Sequence, residues 1–271
     1  MPDMPTVSLN KAAPPPLPPT YQDPQLLPEP RRCDTGAGIV WIRKAFDMFK
    51  QNIGIWLGIT VAMFAIMMVL TIVPLFGILS GLVVILFIGS FMQAAAIQER
   101  GERLKFEYLF SAFSTHLKPL LILTLLYMVS IAVFFILTFW GMHLLSVSNF
   151  LEARVALDSV GVSSSKQWIV MLYMLIAVLP MILLSMAFWF APALIVLHDM
   201  AAMTAVKKSL QACLKNWLAF LIFGVVGGLL SIVLMVFTLG FGFLLVMPMM
   251  LLVYYTSYRD IWTDQPLSID A

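Results

Sequence analysis

Three histidines, two cysteines and nineteen methionines are the side chains of this chain best suited to bind a metal. His116, His143 and His198 are widely separated. Neither an HExxH pair nor a Cys-x-x-Cys occurs, so the ligand spacing of a zinc site is missing. Soft thioethers select Cu(I), and Met247-Pro248-Met249-Met250 and Met142-His143 are where such a site would be sought. The methionines are otherwise scattered over all faces, as lipid-exposed apolar residues would be. His198-Asp199 is the one adjacent His/acid pair. Such a pair can act as a general base or cap a helix end, and the cap is the expected role here. No phosphate-cradling loop, nucleophile elbow or carboxylate pair is present. The expectation is a non-enzymatic chain without cofactor, metal or catalytic residues.

The elements that would hold these residues are long apolar runs. Hydrophobic residues make up 61% of the 271 and charged residues 11%, with mean hydropathy +0.96. A soluble domain needs roughly 25% charged residues to face water, so much of this surface is expected to face lipid. Runs free of Asp, Glu, Lys and Arg cover about 53–73, 75–97, 119–141, 168–197, 217–237 and 241–258. Each is close to the ~20 residues that cross ~30 Å of hydrocarbon. Links at Pro74–Gly77 and Thr238–Gly240 are short enough to make tight antiparallel hairpins. Fourteen of the sixteen basic residues fall on one side of the resulting alternation, leaving Arg154 and Lys166 on the other. The positive-inside rule then places both chain ends and both cysteines, Cys33 and Cys213, in the cytoplasm, where thiols stay reduced. No nucleic-acid partner is expected.

No ionisable Asp, Glu, Lys or Arg lies inside a run. That argues against a proton- or ion-coupled transporter, which places such groups at mid-membrane. Gln93, Thr124, Tyr127 and Tyr173 are the polar residues that would line a path if the chain were a facilitator or exporter of a small or amphiphilic molecule. Pro180, Pro192 and Pro248 interrupt runs and are expected to kink them. Gly54-x-x-x-Gly58, Gly77-x-x-x-Gly81 and Gly224-x-x-x-Gly228 are small faces that would let helices approach closely, and Gly227 and Ser231 extend the last.

Three amphipathic segments precede the first, third and fifth runs, and each is expected to lie in the headgroup plane. Their apolar sets are Ile42, Phe46, Phe49 and Ile53; Phe106, Leu109, Phe110, Phe113 and Leu117; and Met203, Val206, Leu210, Cys213 and Trp217. Phe46-x-x-Phe49-x-x-Asn52, Phe110-x-x-Phe113-x-x-His116 and Leu210-x-x-Cys213-x-x-Asn216 share one spacing. The pattern reads as three units of interfacial helix, helix out and helix back. Lys207, Lys208, Lys215, Arg43, Lys44 and Arg259 are the expected contacts to anionic lipid. Tyr254, Tyr255, Tyr258 and Trp262 are the expected aromatic belt.

Ten of the sixteen prolines fall in residues 1–36, so a disordered, polyproline-II-rich tail is expected there. A polytopic domain over 37–262 and a short C-terminal tail over 263–271 would follow. The first 38 residues hold no signal-peptide core, so the first span is expected to act as an uncleaved targeting signal.

Trp41-Ile42-x-x-Ala45-Phe46-x-x-Phe49, Phe190-Ala191-Pro192-Ala193-Leu194, Lys208-Ser209-Leu210 with Asn216-Trp217-Leu218, and Tyr255-x-Ser257-Tyr258-Arg259-Asp260-Ile261 carry a resemblance. Over about residues 39–262 the chain resembles the BPSS-type family of proteobacterial inner-membrane proteins. It resembles more distantly the membrane domain of some glycerophosphodiester phosphodiesterases. The resemblance implies a bacterial inner-membrane location and a polytopic helical architecture, and no activity, since phosphodiesterase metal ligands are missing. The expected role is a non-enzymatic integral membrane protein that organises, senses or assists membrane components or lipid, with membrane-protein partners or copies of itself. A facilitator or exporter is the second expectation and a membrane-embedded lipid enzyme the third.

Overall fold

A computed structural model describes residues 23–72, 77–144 and 164–267. Among them the chain is helical, with one isolated bridge between Leu26 and Thr263 and no named strand. Arg154, expected on the outer side, and the first Pro-rich stretch lie outside the described residues.

In chain order the helices are α1 (Ala37–Gln51), α2 (Ile53–Ile72), α3 (Gly77–Glu99), α4 (Ser111–Thr115, entered through a 3-10 turn at Phe106–Phe110), α5 (Leu117–Leu144), α6 (Ser164–Trp189), α7 (Ala191–His198), α8 (Ala202–Lys215), α9 (Trp217–Phe237) and α10 (Phe243–Trp262). Five stretches are long and apolar enough to cross a membrane: Ile53–Ile72, Ser80–Glu99, Leu117–Gly141, Met171–His198 and Trp217–Phe237. The fourth runs through a break at Phe190, where Pro192 opens α7. Pro192 belongs there, because the first turn of a helix has no use for the N–H that proline lacks. Pro180 and Pro248 sit inside α6 and α10.

The junctions between amphipathic and long helices share one geometry. Asn52, His116 and Asn216 each end an amphipathic helix with φ between −141° and −118°. Each backbone carbonyl then accepts the first bond of the next helix, from Trp56, Leu120 and Phe220. A single non-helical residue thus turns the chain from one axis to the other without leaving a carbonyl unpaired.

The amphipathic helices have two apolar faces rather than one. In α1, Ala37, Trp41, Ala45 and Phe49 are buried against α9 and α10, whereas Ile39 and Phe46 stay exposed. In α8, Ala202, Ala205, Ser209, Ala212 and Cys213 are buried and Met203 is exposed, as is Trp217 at the start of α9. In α8 the buried face is made of small residues, which lets helix axes approach, whereas α1 buries Trp41 and Phe49 beside its alanines. Ile39, Phe46 and Met203 remain as an apolar rim.

Close approach is set by Gly81 of one GxxxG phrase, where a Cβ would lie 2.4 Å from Met128 Cε, and by glycines outside these phrases. A Cβ on Gly38 would lie 2.4 Å from the Ala219 carbonyl oxygen, and one on Gly89 would lie 2.9 Å from Leu120 and 3.1 Å from Val196. Gly224 and Gly228, expected to seat a neighbouring helix, meet nothing within 4 Å. Gly227, which extends that face, is buried near Ile42 of α1.

Candidate functional site

Three helices return to the end of the bundle that carries most of the basic residues, and their last turns converge there: α3 ending at Glu99, α7 at His198, and α10 through Arg259 and Asp260. Apolar packing brings them together. α7 is buried from Ala191 to Val196 and lies against α3 over Gly89. The second half of α10, from Leu251 to Trp262, is buried except for the half-buried Tyr254 and lies between α1 and α3.

Burial forces the charged groups at this convergence to find partners. Glu99 accepts a hydrogen bond from Arg259 Nε at 2.6 Å and another from the Tyr255 hydroxyl. Arg259 is only 5% exposed, and its Nη1 also donates to Thr263 Oγ1. Asp260 accepts from the Trp41 indole at 2.8 Å and from the Leu267 amide at 3.1 Å. His198 Nε2 meets the Tyr258 hydroxyl at 2.5 Å. Gln98 accepts from the Trp56 indole at 2.7 Å and donates to the Met48 carbonyl, tying α1, α2 and α3 at one point.

A strap closes this end. Residues 23–36, expected to belong to an unpacked tail, are laid across it instead. The Leu27 and Arg31 amides donate to the carbonyls of Trp262 and Ile261, both at 2.8 Å. The Arg31 guanidinium donates to the carbonyls of Asp260 and Thr263. The Asn216 side chain accepts from the Cys33 amide at 2.7 Å and donates to the Arg31 carbonyl at 2.9 Å. Asp23 pairs with Arg100 at 2.8 Å. Proline suits this segment. A strap that gives few N–H groups to a ladder still offers carbonyls, and Lys208 and Lys215 donate to those of Pro28 and Pro30. Beneath it lies a polar cleft of about 340 Å³, bordered by Asp23, Gln25, Arg100, His198, Tyr258 and Arg259.

Several of the expected residues have partners within the protein. Lys208 and Lys215 donate to the strap, and Lys208 also sits over the Trp262 ring at 5.5 Å. Arg259 is buried in an ion pair, so of the six expected lipid contacts Lys207, Arg43 and Lys44 remain on the outer surface or partly so. The expected aromatic belt is interior: Tyr255, Tyr258 and Trp262 are buried, and Tyr254 stacks on Trp189 at 3.9 Å. The adjacent His198-Asp199 pair splits. Asp199 ends α7 in the left-handed region at φ 52°, and its carboxylate meets His116 Nε2 at 2.9 Å. That ion-pair partner lies 83 residues away.

The arrangement offers little chemistry. The Thr115 hydroxyl, 2.8 Å from His116 Nδ1, already donates to the Ser111 carbonyl, so it does not serve as a nucleophile primed by that histidine. Among the described residues no group of three His, Cys, Asp or Glu side chains could hold a metal. Cys33 and Cys213 are free thiols. Burial, reinforced by the Asp260 carboxylate, pushes the Cys33 thiol up to about 12, and burial raises that of Cys213 further. Neither is a reactive thiolate at neutral pH.

The four residues that would line a path border neither this cleft nor the groove described below. Gln93 donates to Thr115, Thr124 bonds back to the Leu120 carbonyl, Tyr127 packs edge-on to Phe188, and Tyr173 donates to the Thr138 carbonyl. Glu99 was not among the residues singled out from the sequence. The available signal was a carboxylate at the end of a run, matched in depth by Arg259 at the end of another. No family model matches the chain, and neither does any curated protein or solved structure.

Proposed function

We propose that this chain is a non-enzymatic, multi-pass protein of a bacterial inner membrane that organises or assists other membrane components or lipid. The observation that carries the proposal is the closed inner end: Glu99, Arg259, Asp260 and Asn216 are bonded within the protein under the strap. A scaffold needs such rigid ties, whereas a carrier keeps polar groups for its cargo.

The same ties support six crossings, and the distribution of basic residues supports both ends in the cytoplasm. The bridge between Leu26 and Thr263 and the bond from the Gln25 amide to Asp264 at 2.9 Å put the start and end of the domain on one side. An even number of crossings is then required. Five stretches qualify by length and composition alone, and α10, apolar from Phe243 to Val253, is proposed as the sixth. Its polar last turns are sheltered by α1 and α3 rather than by water. The distribution of basic residues makes the clasped side cytoplasmic. The common junction at Asn52, His116 and Asn216 supports three repeated units, and the resemblance over residues 39–262 supports the inner-membrane location.

The test is extraction in native lipid followed by mass spectrometry of what accompanies the protein, together with flux measurements in vesicles. Retained phospholipid or membrane-protein partners, with flux of small solutes equal to that of protein-free vesicles, is expected. Solute exchange well above protein-free vesicles would replace the proposal with a facilitator, the second reading, which the polar cleft under the strap favours.

A further inference from the structure

α9 and α10 follow one another through a short turn, yet they make few contacts with each other, because α1 packs between them at their charged ends. The gap they leave is an apolar groove of about 250 Å³, walled by Ile42 and Phe46 of α1, Gly227 and Leu234 of α9, and Val246 and Met250 of α10. Its one polar wall residue, Ser231, donates its hydroxyl to the Gly227 carbonyl at 2.6 Å and so presents no free donor. The groove follows α9 from Phe223 to Leu234. At 1.5 Å per residue that is about 16 Å along the helix axis, roughly half of the ~30 Å hydrocarbon thickness and therefore one leaflet. Its mouth lies at α1, the interfacial helix. There Arg43 is exposed one residue from Ile42, and Lys50 sits 4.8 Å from the centre of the Phe46 ring. Arg43, Asp47 and Lys50 share a face at spacings of three and four, and Asp47 offsets one of the two positive charges.

We infer that this groove holds one acyl chain of an inner-leaflet anionic phospholipid, with the phosphate headgroup against Arg43 and Lys50. The inference rests on the proposed topology, which makes α1 cytoplasmic, and it names the lipid class that the scaffold grips. Gly227 keeps the groove open. A Cβ there would make only ordinary contacts, at 3.4 Å to Phe223 and 3.6 Å to Ile42, so a larger side chain would fill the groove rather than split the helices.

The test uses the full chain in bilayer discs of equal phosphatidylglycerol and phosphatidylcholine, released into native mass spectrometry. Wild type is expected to retain one lipid, with phosphatidylglycerol favoured about fivefold, as a net gain of one interfacial charge implies. Gly227→Phe should lose the retained lipid of either kind, and Arg43→Gln with Lys50→Gln should keep a lipid and lose the preference. Thermal unfolding reports whether each variant is folded, and Gly227→Leu replaces the phenylalanine variant if that one is not. Retention unchanged in a folded Gly227 variant would overturn the inference. So would a groove occupied by a second copy of the chain, seen as a dimer that the same variant dissolves. A reporter fusion at Asp264 fails with the topology and lipid retention fails with the groove, so the two proposals fall separately.

Discussion

Arg259 shows how a residue can look like a lipid contact and be the opposite. At the end of an apolar run beside three aromatic residues, it reads as a headgroup anchor. Its guanidinium is instead sheltered by α1, α3 and the C-terminal segment and is satisfied by Glu99 and Thr263. Removing one partner of such a pair strands the other in a low-dielectric setting, which costs about 3–5 kcal/mol. Arg259→Met should lower the unfolding midpoint in detergent accordingly, and adding Glu99→Leu should recover most of the loss. Equal midpoints for the single and double variants would show that the pair is not coupled. Cys33 gives a second prediction. Its thiol has a folded value of about 12 against 9.0 for an unperturbed cysteine, so the fold keeps a proton that the unfolded chain gives up between those values. Its contribution to stability is complete below pH 9 and is lost as pH rises towards 12. Cys33→Ser should flatten that alkaline loss. In the Cys213→Ser background, alkylation of Cys33 at pH 8 should be slow until the protein is unfolded. Fast labelling of the folded protein would mean an open thiol.

At the scale of elements, the long helices and the three amphipathic segments were legible, because periodicity and charge are local signals. Which face of an amphipathic helix meets protein was not. Large apolar residues such as Phe46 and Met203 attract the eye, while the face that packs is the run of small residues in α8 and the Trp41–Ala45–Phe49 stripe in α1. The strap was hidden for a similar reason. Proline-rich composition reports that a segment cannot form its own core, and says nothing of carbonyls lent to Lys208, Lys215 and the end of α10. Without the strap the buried Asn216 Oδ1 would lose its bond from the Cys33 amide, leaving an unsatisfied group at about 1–3 kcal/mol, while its Nδ2 keeps the Ala212 carbonyl. Deleting residues 1–22 should therefore leave the unfolding midpoint unchanged, and deleting residues 1–34 should lower it by several degrees. A midpoint unmoved by the longer deletion would mean that the strap is decoration.

The whole molecule is a bundle whose two halves obey different rules. Towards the far end α5, α6 and α9 expose large apolar side chains in quantity, as a lipid-facing surface requires. Towards the charged end the helices are cross-tied by buried polar groups and closed by the strap. Composition disclosed the first half. The second arises from residues as far apart as Trp41 and Asp260, or His116 and Asp199, and only the fold brings them together. The claim that joins the two halves is that the chain begins and ends on the same, cytoplasmic side, with α10 as the final crossing. The most direct measurement is a pair of reporter fusions in cells, one ahead of Asp23 and one after Asp264, each read with a reporter active only outside the inner membrane and one active only inside. Cytoplasmic signals from both are expected. An external signal after Asp264 with a cytoplasmic one ahead of Asp23 would mean an odd number of crossings, and it would contradict the clasp on which the account is built.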